Sequence, residues 1–167
     1  MKKTVVQANE PATTYLSFRL NNELFAVDVN KALTILDIKP ITEVPNSPAY
    51  MRGVINLRGS VLPIVDLGVK FGMDETKICD KTCIIVLCVK IDGEDVHLGI
   101  LADSVDEVFE IPDSKIEISP TIGTKYKVDF IKGMYQLPQA FIMLLNIDIV
   151  FNSNEHLIIE ADSQQDN

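Results

Sequence analysis

The chain has 167 residues, of which 47% are hydrophobic and 23% charged, a balance typical of a globular protein with a substantial core. Asp and Glu number 24 against 15 Lys and Arg, which gives a net charge of −9. This charge repels phosphate backbones, and we therefore predict no nucleic-acid partner. No apolar run reaches the ~20 residues of a membrane span or resembles an export signal, so we expect a cytoplasmic protein without direct membrane insertion.

Hydrophobic residues alternate along most of the chain, with turn residues between the alternating runs. The pattern predicts four hairpins, whose paired strands lie at 15–20 and 25–29, 54–57 and 60–65, 83–89 and 96–102, and 130–135 and 140–147. Short helices are predicted at 47–53, with proline in the first helical position, and at 66–72, with a capping aspartate and a final glycine. Residues 104–107 fit either a capping box or a strand.

Two parts of the sequence repeat each other. Residues 53–71 (GVINLRGSVLPIVDLGVKF) align without gaps with residues 133–151 (GMYQLPQAFIMLLNIDIVF) at an offset of 80. Upstream, residues 26–35 align with 99–108 at an offset of 73. We interpret these matches as an internal duplication.

The duplication and the strand pattern together predict a mainly β fold. It consists of two similar, small five-stranded antiparallel β-barrel subdomains with a few short helices. The predicted parts are a flexible tail at 1–14, subdomains at about 15–75 and 80–147, a closing helix at about 147–153, and a polar acidic tail at 153–167.

Three cysteines, Cys79, Cys83 and Cys88, lie within ten residues. An odd number in a reducing compartment argues against a disulfide framework. Cys83 and Cys88 would face opposite sides of one strand and cannot bind one metal ion together. We predict that the cysteines are core thiols and that the protein binds no metal.

The sequence offers little for catalysis. It contains no phosphate-binding loop, no G-x-S-x-G motif and no Cys–His pair with a recognisable spacing. His97 lies in an apolar run and is expected to be partly buried. Asp103, Asp106, Glu107 and Glu110 could form paired carboxylates or a cation site, although their spacing is more typical of a solvated face. We expect no enzymatic activity and no cofactor, with a small enzyme that uses this acidic cluster as an alternative.

Arg58 occupies the tip of a predicted two-residue turn, where Asn-Gly would be favoured over Arg-Gly. A solvated turn arginine would account for it, and so would an arginine that contacts a partner. Two packed subdomains also leave a groove of the kind that binds helices. The sequence therefore favours a binding function.

The segment 51–67 (MRGVINLRGSVLPIVDL), followed by Lys70-Phe71-Gly72, resembles the signature of the CheW family of chemotaxis coupling proteins. The resemblance extends over about residues 15–152. It implies a non-enzymatic adaptor of bacterial chemotaxis that couples chemoreceptors to the histidine kinase CheA. Its implied partners are the regulatory domain of the kinase and the cytoplasmic tip of a methyl-accepting receptor, which would recruit it to the inner face of the membrane.

The resemblance also implies which residues bind partners. Arg58 would meet the receptor tip, on a hairpin shaped by Asn56, Gly59 and Ser60. The groove between subdomains would be lined or supported by Ala32, Thr34, Cys83, Gly99, Val105 and Val108. The family usually has valine and glutamate at the positions of Ala32 and Thr34. This departure leaves open a CheW-like regulatory module, or a paralogue in a different chemosensory system that controls pili or gene expression.

Overall fold

The computed structural model describes residues 10–118 and 130–152, and two five-stranded sheets dominate them. The first sheet has the order β8-β1-β2-β10-β9. Its strands are β1 (Ala12–Leu20), β2 (Glu23–Asp28), β8 (Ser104–Pro112), β9 (Ile131–Gln136) and β10 (Phe141–Leu145).

The second sheet has the order β3-β6-β7-β5-β4. Its strands are β3 (Ala32–Asp37), β4 (Met51–Leu57), β5 (Ser60–Val65), β6 (Cys83–Ile91) and β7 (Glu94–Ala102). The mainly β fold and its two five-stranded units are confirmed, and all four predicted hairpins form. The prediction that all strands are antiparallel is wrong, because β2 is parallel to β10 and β5 is parallel to β7, so both sheets are mixed. These parallel pairs join strands that are distant in the sequence, which hairpin patterns do not reveal.

Each sheet combines strands from both halves of the chain. Strands β1 and β2 join β8, β9 and β10, whereas β3, β4 and β5 join β6 and β7. The predicted subdomain limits, 15–75 and 80–147, are therefore not the limits of the two sheets. Local periodicity identifies strands but carries no information about which distant strand each one pairs with.

The two sheets have the same strand order, with β3, β6, β7, β5 and β4 in the places of β8, β1, β2, β10 and β9. Their registers agree as well. Ala26 pairs with Leu144 in the first sheet, and Gly99 pairs with Ile64 in the second. These pairs are related by the sequence offsets of 73 and 80. The structure thus confirms the predicted duplication.

One isolated bridge connects the two edges of each sheet. Beyond β3, Thr42 pairs with Val54 of β4, and beyond β8, Glu117 pairs with Met134 of β9. A Cβ atom on Gly53 would overlap the Thr42 carbonyl oxygen and lie 2.8 Å from the carbonyl carbon. Closure of the sheet therefore requires glycine at this position.

Three hydrophobic clusters hold the sheets together. One lies within the first sheet and one within the second, and the largest, which we call the central cluster, draws residues from both sheets. Along β6, Ile84 and Val86 belong to the inner cluster of the second sheet, whereas Ile85 and Leu87 belong to the central cluster. Because both faces of such strands are buried, the two sheets form one packed body.

Helix α1 (Leu67–Lys70) follows β5, as predicted. The Asp66 carboxylate accepts a hydrogen bond from the amide of Val69, and Gly72 has a φ of 84° just beyond the helix. A second helix, α2, occupies residues 147–152 after β10. Within the described ranges, no helix is long and apolar enough to cross a membrane.

The predicted helix at 47–53 is wrong. The amide of Met51 donates to the carbonyl of Pro48 in a single turn, and β4 begins at Met51. Met51 pairs with Val65 in the β4–β5 ladder, and this tertiary pairing overrides the local helix propensity of the segment. Residues 104–107 belong to strand β8.

Candidate protein-docking site

Arg58 lies at the tip of the β4–β5 hairpin, where Leu57 pairs with Ser60. Arg58 and Gly59 have φ values of 54° and 85°, the left-handed conformation that a two-residue turn requires. The Asn56 Oδ1 atom accepts a hydrogen bond of 2.9 Å from the amide of Gly59, which stabilises the turn. The Arg58 side chain is exposed and forms no ion pair within the described residues.

A groove of about 560 Å³, which we call the mouth groove, opens beside Arg58 at one end of the second sheet. Its buried and half-buried members are Leu36, Leu57, Leu62 and Val86, and its exposed members are Leu33, Thr34, Arg58, Ser60, Val61 and His97. Leu33 and Val61 are 50% and 72% exposed. The groove thus combines an apolar floor with hydrogen-bond donors at its rim, which suits an amphipathic protein segment.

His97 is exposed, so the prediction that it is partly buried is wrong. It shares a face of β7 with Leu101, which belongs to the inner cluster of the second sheet. His97 lies closer to the mouth groove than Leu101 does, beyond the end of that cluster. Its imidazole therefore reaches the rim of the groove instead of the core.

The edge strand β3 carries two of the predicted site residues on different faces. The register with β6 shifts between Ala32 and Thr34. Without this shift the two residues would share a face, because side chains alternate along a strand. Ala32 contacts the central cluster and Thr34 lines the mouth groove. Because of the bulge, the same short strand thus packs on the central cluster through one residue and lines the mouth groove through the other.

The edge strand β8 repeats part of this arrangement in the first sheet. Val105 contacts the central cluster, as Ala32 does, and the offset of 73 relates the two positions. Val108 and its counterpart Ile35 are exposed by 56% and 46%. Exposed apolar residues on edge strands are typical of surfaces that contact a partner.

Cys83 and Gly99, two further predicted site residues, lie inside the protein. Cys83 belongs to the central cluster, and burial raises the pKa of its thiol. A Cβ atom on Gly99 would lie 2.7 Å from Ile84 Cγ2 and 2.9 Å from Ile64 Cδ1. Both residues are thus buried in the packed interior and not exposed at a surface.

The other cysteines differ from the prediction of core thiols. Cys79 is exposed and Cys88 is half-buried. The hydrogen bond from the Thr82 hydroxyl to the Cys79 sulfur, 3.5 Å long, lowers the pKa of the Cys79 thiol. In the described segments, no three His, Cys, Asp or Glu residues are grouped as metal ligands.

The acidic cluster has structural contacts. Asp103 Oδ2 accepts a hydrogen bond of 2.7 Å from the amide of Asn21, and Asp106 Oδ2 lies 3.1 Å from Arg19 Nε. These contacts fasten the start of β8 to the end of β1 and the turn that follows it. Glu107 is exposed, so the arrangement differs from a pair of carboxylates that share a cleft.

The mouth groove and the edge strands also contain residues that sequence reasoning missed, namely Leu33, Ile35, Val61 and His97. Leu33 and Ile35 left a signal, because every residue of the run Ala-Leu-Thr-Ile-Leu except threonine is apolar. A strand without a polar face is either buried on both sides or exposes apolar residues for contact.

Comparisons with known proteins agree with this geometry. The CheW-like domain model matches residues 14–155. This chain belongs to the CheW-like domain family. The probable chemotaxis protein CheW of Rhizobium etli is 33% identical over 155 residues, which are 93% of this chain and 97% of that protein. The chemotaxis protein CheW of Rhizobium meliloti is 34% identical over 140 residues, 84% of this chain and 88% of that protein.

The fold also resembles the crystal structure of the scaffolding protein TtCheW from Thermoanaerobacter tengcongensis. The TM-score is 0.72 at 27% sequence identity, over 84% of this chain and 93% of that one. The family resemblance of the segment 51–67 thus extends to the whole fold. In this CheW-like chain, the segment forms β4, the Arg58 turn, β5 and the start of α1.

Proposed function

We propose that this CheW-like chain is a non-enzymatic coupling adaptor in bacterial chemotaxis, which holds a chemoreceptor and a CheA-type histidine kinase in one complex. The observation that carries the proposal is the exposed Arg58 beside the apolar mouth groove, on a hairpin fixed by Asn56. The adaptor acts in the cytoplasm and is recruited to the inner face of the membrane by the receptor.

The receptor tip binds at the mouth groove and along the edge strand β3. Arg58 supplies a planar group with five donors, and Leu33 and Val61 supply exposed apolar area close by. Ala32 and Val105 pack against the central cluster and support the edge strands β3 and β8 from behind. Arginine is among the residues that most often dominate binding energy, and apolar contacts around it exclude water from the interface.

The regulatory domain of the kinase binds elsewhere on the same body, so that both partners are held at a fixed geometry. The central cluster makes this geometry rigid, because residues of both sheets pack in it. Coupling requires contacts whose strength differs between the signalling states of the receptor. A coupling free energy of about 1–3 kcal/mol is sufficient for such a role.

The experiment is a pull-down with the purified chain, a receptor signalling fragment and the kinase regulatory domain, added singly and together. We expect each partner to bind alone and all three to form a ternary complex. The proposal would be contradicted if the chain failed to bind one or both partners, or if binding of one partner prevented binding of the other. Substituting receptors from motility, pilus and gene-expression systems identifies the system that the chain serves.

A further inference from the structure

Asp148, in helix α2, binds two other parts of the chain. Its Oδ2 atom lies 2.8 Å from Lys31 Nζ, and its Oδ1 atom accepts a hydrogen bond of 2.8 Å from the amide of Lys90. Lys31 ends the 3-10 turn Val29–Lys31 that precedes β3, and Lys90 lies in the neighbouring strand β6. Both oxygens of one carboxylate are therefore occupied, and they connect α2 with the second sheet.

The position of this contact matters because the chain crosses between the sheets there. The turn Val29–Lys31 leads from β2 of the first sheet to β3 of the second, and α2 extends from β10 of the first sheet. β3 is an edge strand, and β6 is its only ladder partner in the described part of the chain. The start of β3 is held by the pairing of Ala32 with Leu87, by the packing of Ala32 on the central cluster and by the contact of Lys31 with α2.

The bulge of β3 lies between Ala32 and Thr34, one residue beyond Lys31. It is the feature that places Ala32 against the central cluster and Thr34 in the mouth groove. A strand end that precedes a bulge can shift its register when its anchor is lost, and such a shift exchanges the faces on which side chains lie.

We propose that Asp148 is a positioning residue for the partner-binding strand β3, which it holds through Lys31. The proposal rests on the proposed function, because it assumes that β3 contacts the receptor. Asp148 itself does not line the mouth groove. It acts by fixing the start of β3, so that Ala32 stays against the central cluster and Thr34 stays in the mouth groove where the receptor tip binds.

The test compares Asp148→Asn with Asp95→Asn in the full chain. In the first variant the amide side chain would keep an acceptor for the Lys90 backbone N–H but lose the charge that holds Lys31. Asp95 forms an ion pair of 3.1 Å with Lys90, and both side chains are mostly exposed. The Asp95→Asn control therefore changes the net charge equally, without loss of a contact to the start of β3.

Two readouts are measured, the affinity for the receptor signalling fragment and amide hydrogen exchange. Asp148→Asn is expected to weaken binding about three- to tenfold and to speed exchange at residues 32–34, but not at 105–108 of the equivalent strand. Lys31→Met is expected to act alike, and the double variant no more strongly than either single one. Asp95→Asn is expected to match the wild type in both readouts.

Wild-type affinity and wild-type exchange in Asp148→Asn would overturn the inference. Faster exchange throughout both sheets would also overturn it, because the residue would then be a general stabiliser. If the wild-type chain binds no receptor fragment, the proposed function fails separately. In that case the exchange data alone decide whether Asp148 positions β3, a change confined to 32–34 supporting it.

Discussion

Asp66 and Asn146 occupy equivalent positions in the two halves, yet only Asp66 carries a buried charge. Each side chain accepts a hydrogen bond from the amide three residues later, Val69 or Ile149, and so caps the helix that follows. Asp66 is fully buried. The same cap is thus an amide in one half and a buried carboxylate in the other.

The Asp66 carboxylate accepts further hydrogen bonds. Asp66 accepts hydrogen bonds from the amide and the hydroxyl of Thr76, at 2.9 and 3.0 Å, and from Arg52 Nη1 at 3.1 Å. The carboxylate thereby fastens the loop after α1 to strand β4. Buried carboxylates persist in proteins when they are paired in this way.

We predict that Asp66→Asn lowers the free energy of unfolding by about 2–4 kcal/mol, because the partly buried Arg52 loses its buried charged acceptor and keeps only a longer ion pair, of 3.7 Å, with the exposed Glu75. Urea denaturation monitored by circular dichroism measures the loss. The matched variant Asn146→Asp, at the half-buried equivalent cap, is expected to change stability by less than about 1 kcal/mol. Equal losses in the two variants would contradict a special role for the Asp66 network.

We predict that Gly53→Ala destabilises the fold by about 3 kcal/mol or more, because the new methyl group would meet the backbone of Thr42 and the φ of 142° is unfavourable for alanine. The control is Gly93→Ala. Gly93 also has a positive φ, 81°, but nothing lies within 4 Å of a Cβ atom there. Its substitution therefore measures backbone strain alone, about 1 kcal/mol. Similar melting temperatures for the two variants would show that closure of the sheet tolerates a side chain.

The hairpins of this fold could be predicted from the sequence because their determinants are local. Turn residues such as Gly59 and Gly93 fall between alternating strands, and neighbouring strands then pair antiparallel. The exchange of strands between halves could not be predicted in the same way. It depends on which apolar faces pack together across the central cluster. Local hydrophobic periodicity does not specify which distant strand packs against a given apolar face.

The candidate site also divides into a part that the local sequence predicts and a part that it does not. Arg58 stood out because it occupies a turn position that disfavours arginine. The faces of Ala32 and Thr34 depend on a bulge that no residue between them signals. The contact between Lys31 and Asp148 joins residues 117 positions apart and arises only from the packing of the two sheets.

We predict different reactivities for two cysteines. Cys79 is exposed and its thiol pKa is lowered, whereas Cys83 is buried and its pKa is raised. The thiolate is the reactive form, so Cys79 reacts faster with iodoacetamide at neutral pH and its rate levels off at a lower pH than that of an ordinary thiol. Cys83 reacts only when the protein opens. Because its folded-state pKa lies above the unfolded value, its contribution to stability is present below the unfolded pKa and is lost as the pH rises.

Mass spectrometry of the alkylated peptides checks the cysteine prediction. Fast alkylation is expected to disappear in Cys79→Ser, which would assign it to Cys79. Denaturant is expected to make Cys83 reactive. Rapid labelling of Cys83 in the native protein would contradict its place in the central cluster.

The last prediction concerns Arg58. We expect Arg58→Ala to weaken binding of a receptor signalling fragment by about 1–2 kcal/mol, because an exposed interface arginine with five donors is lost. Its effect on the free energy of unfolding should stay within about 0.5 kcal/mol, since the side chain forms no ion pair within the described residues. Isothermal titration calorimetry and urea denaturation measure the two quantities. Lys77→Ala removes the same charge from an exposed residue outside the mouth groove, and it should leave the affinity unchanged. A marked loss of stability at unchanged receptor affinity would instead make Arg58 a structural residue of the hairpin.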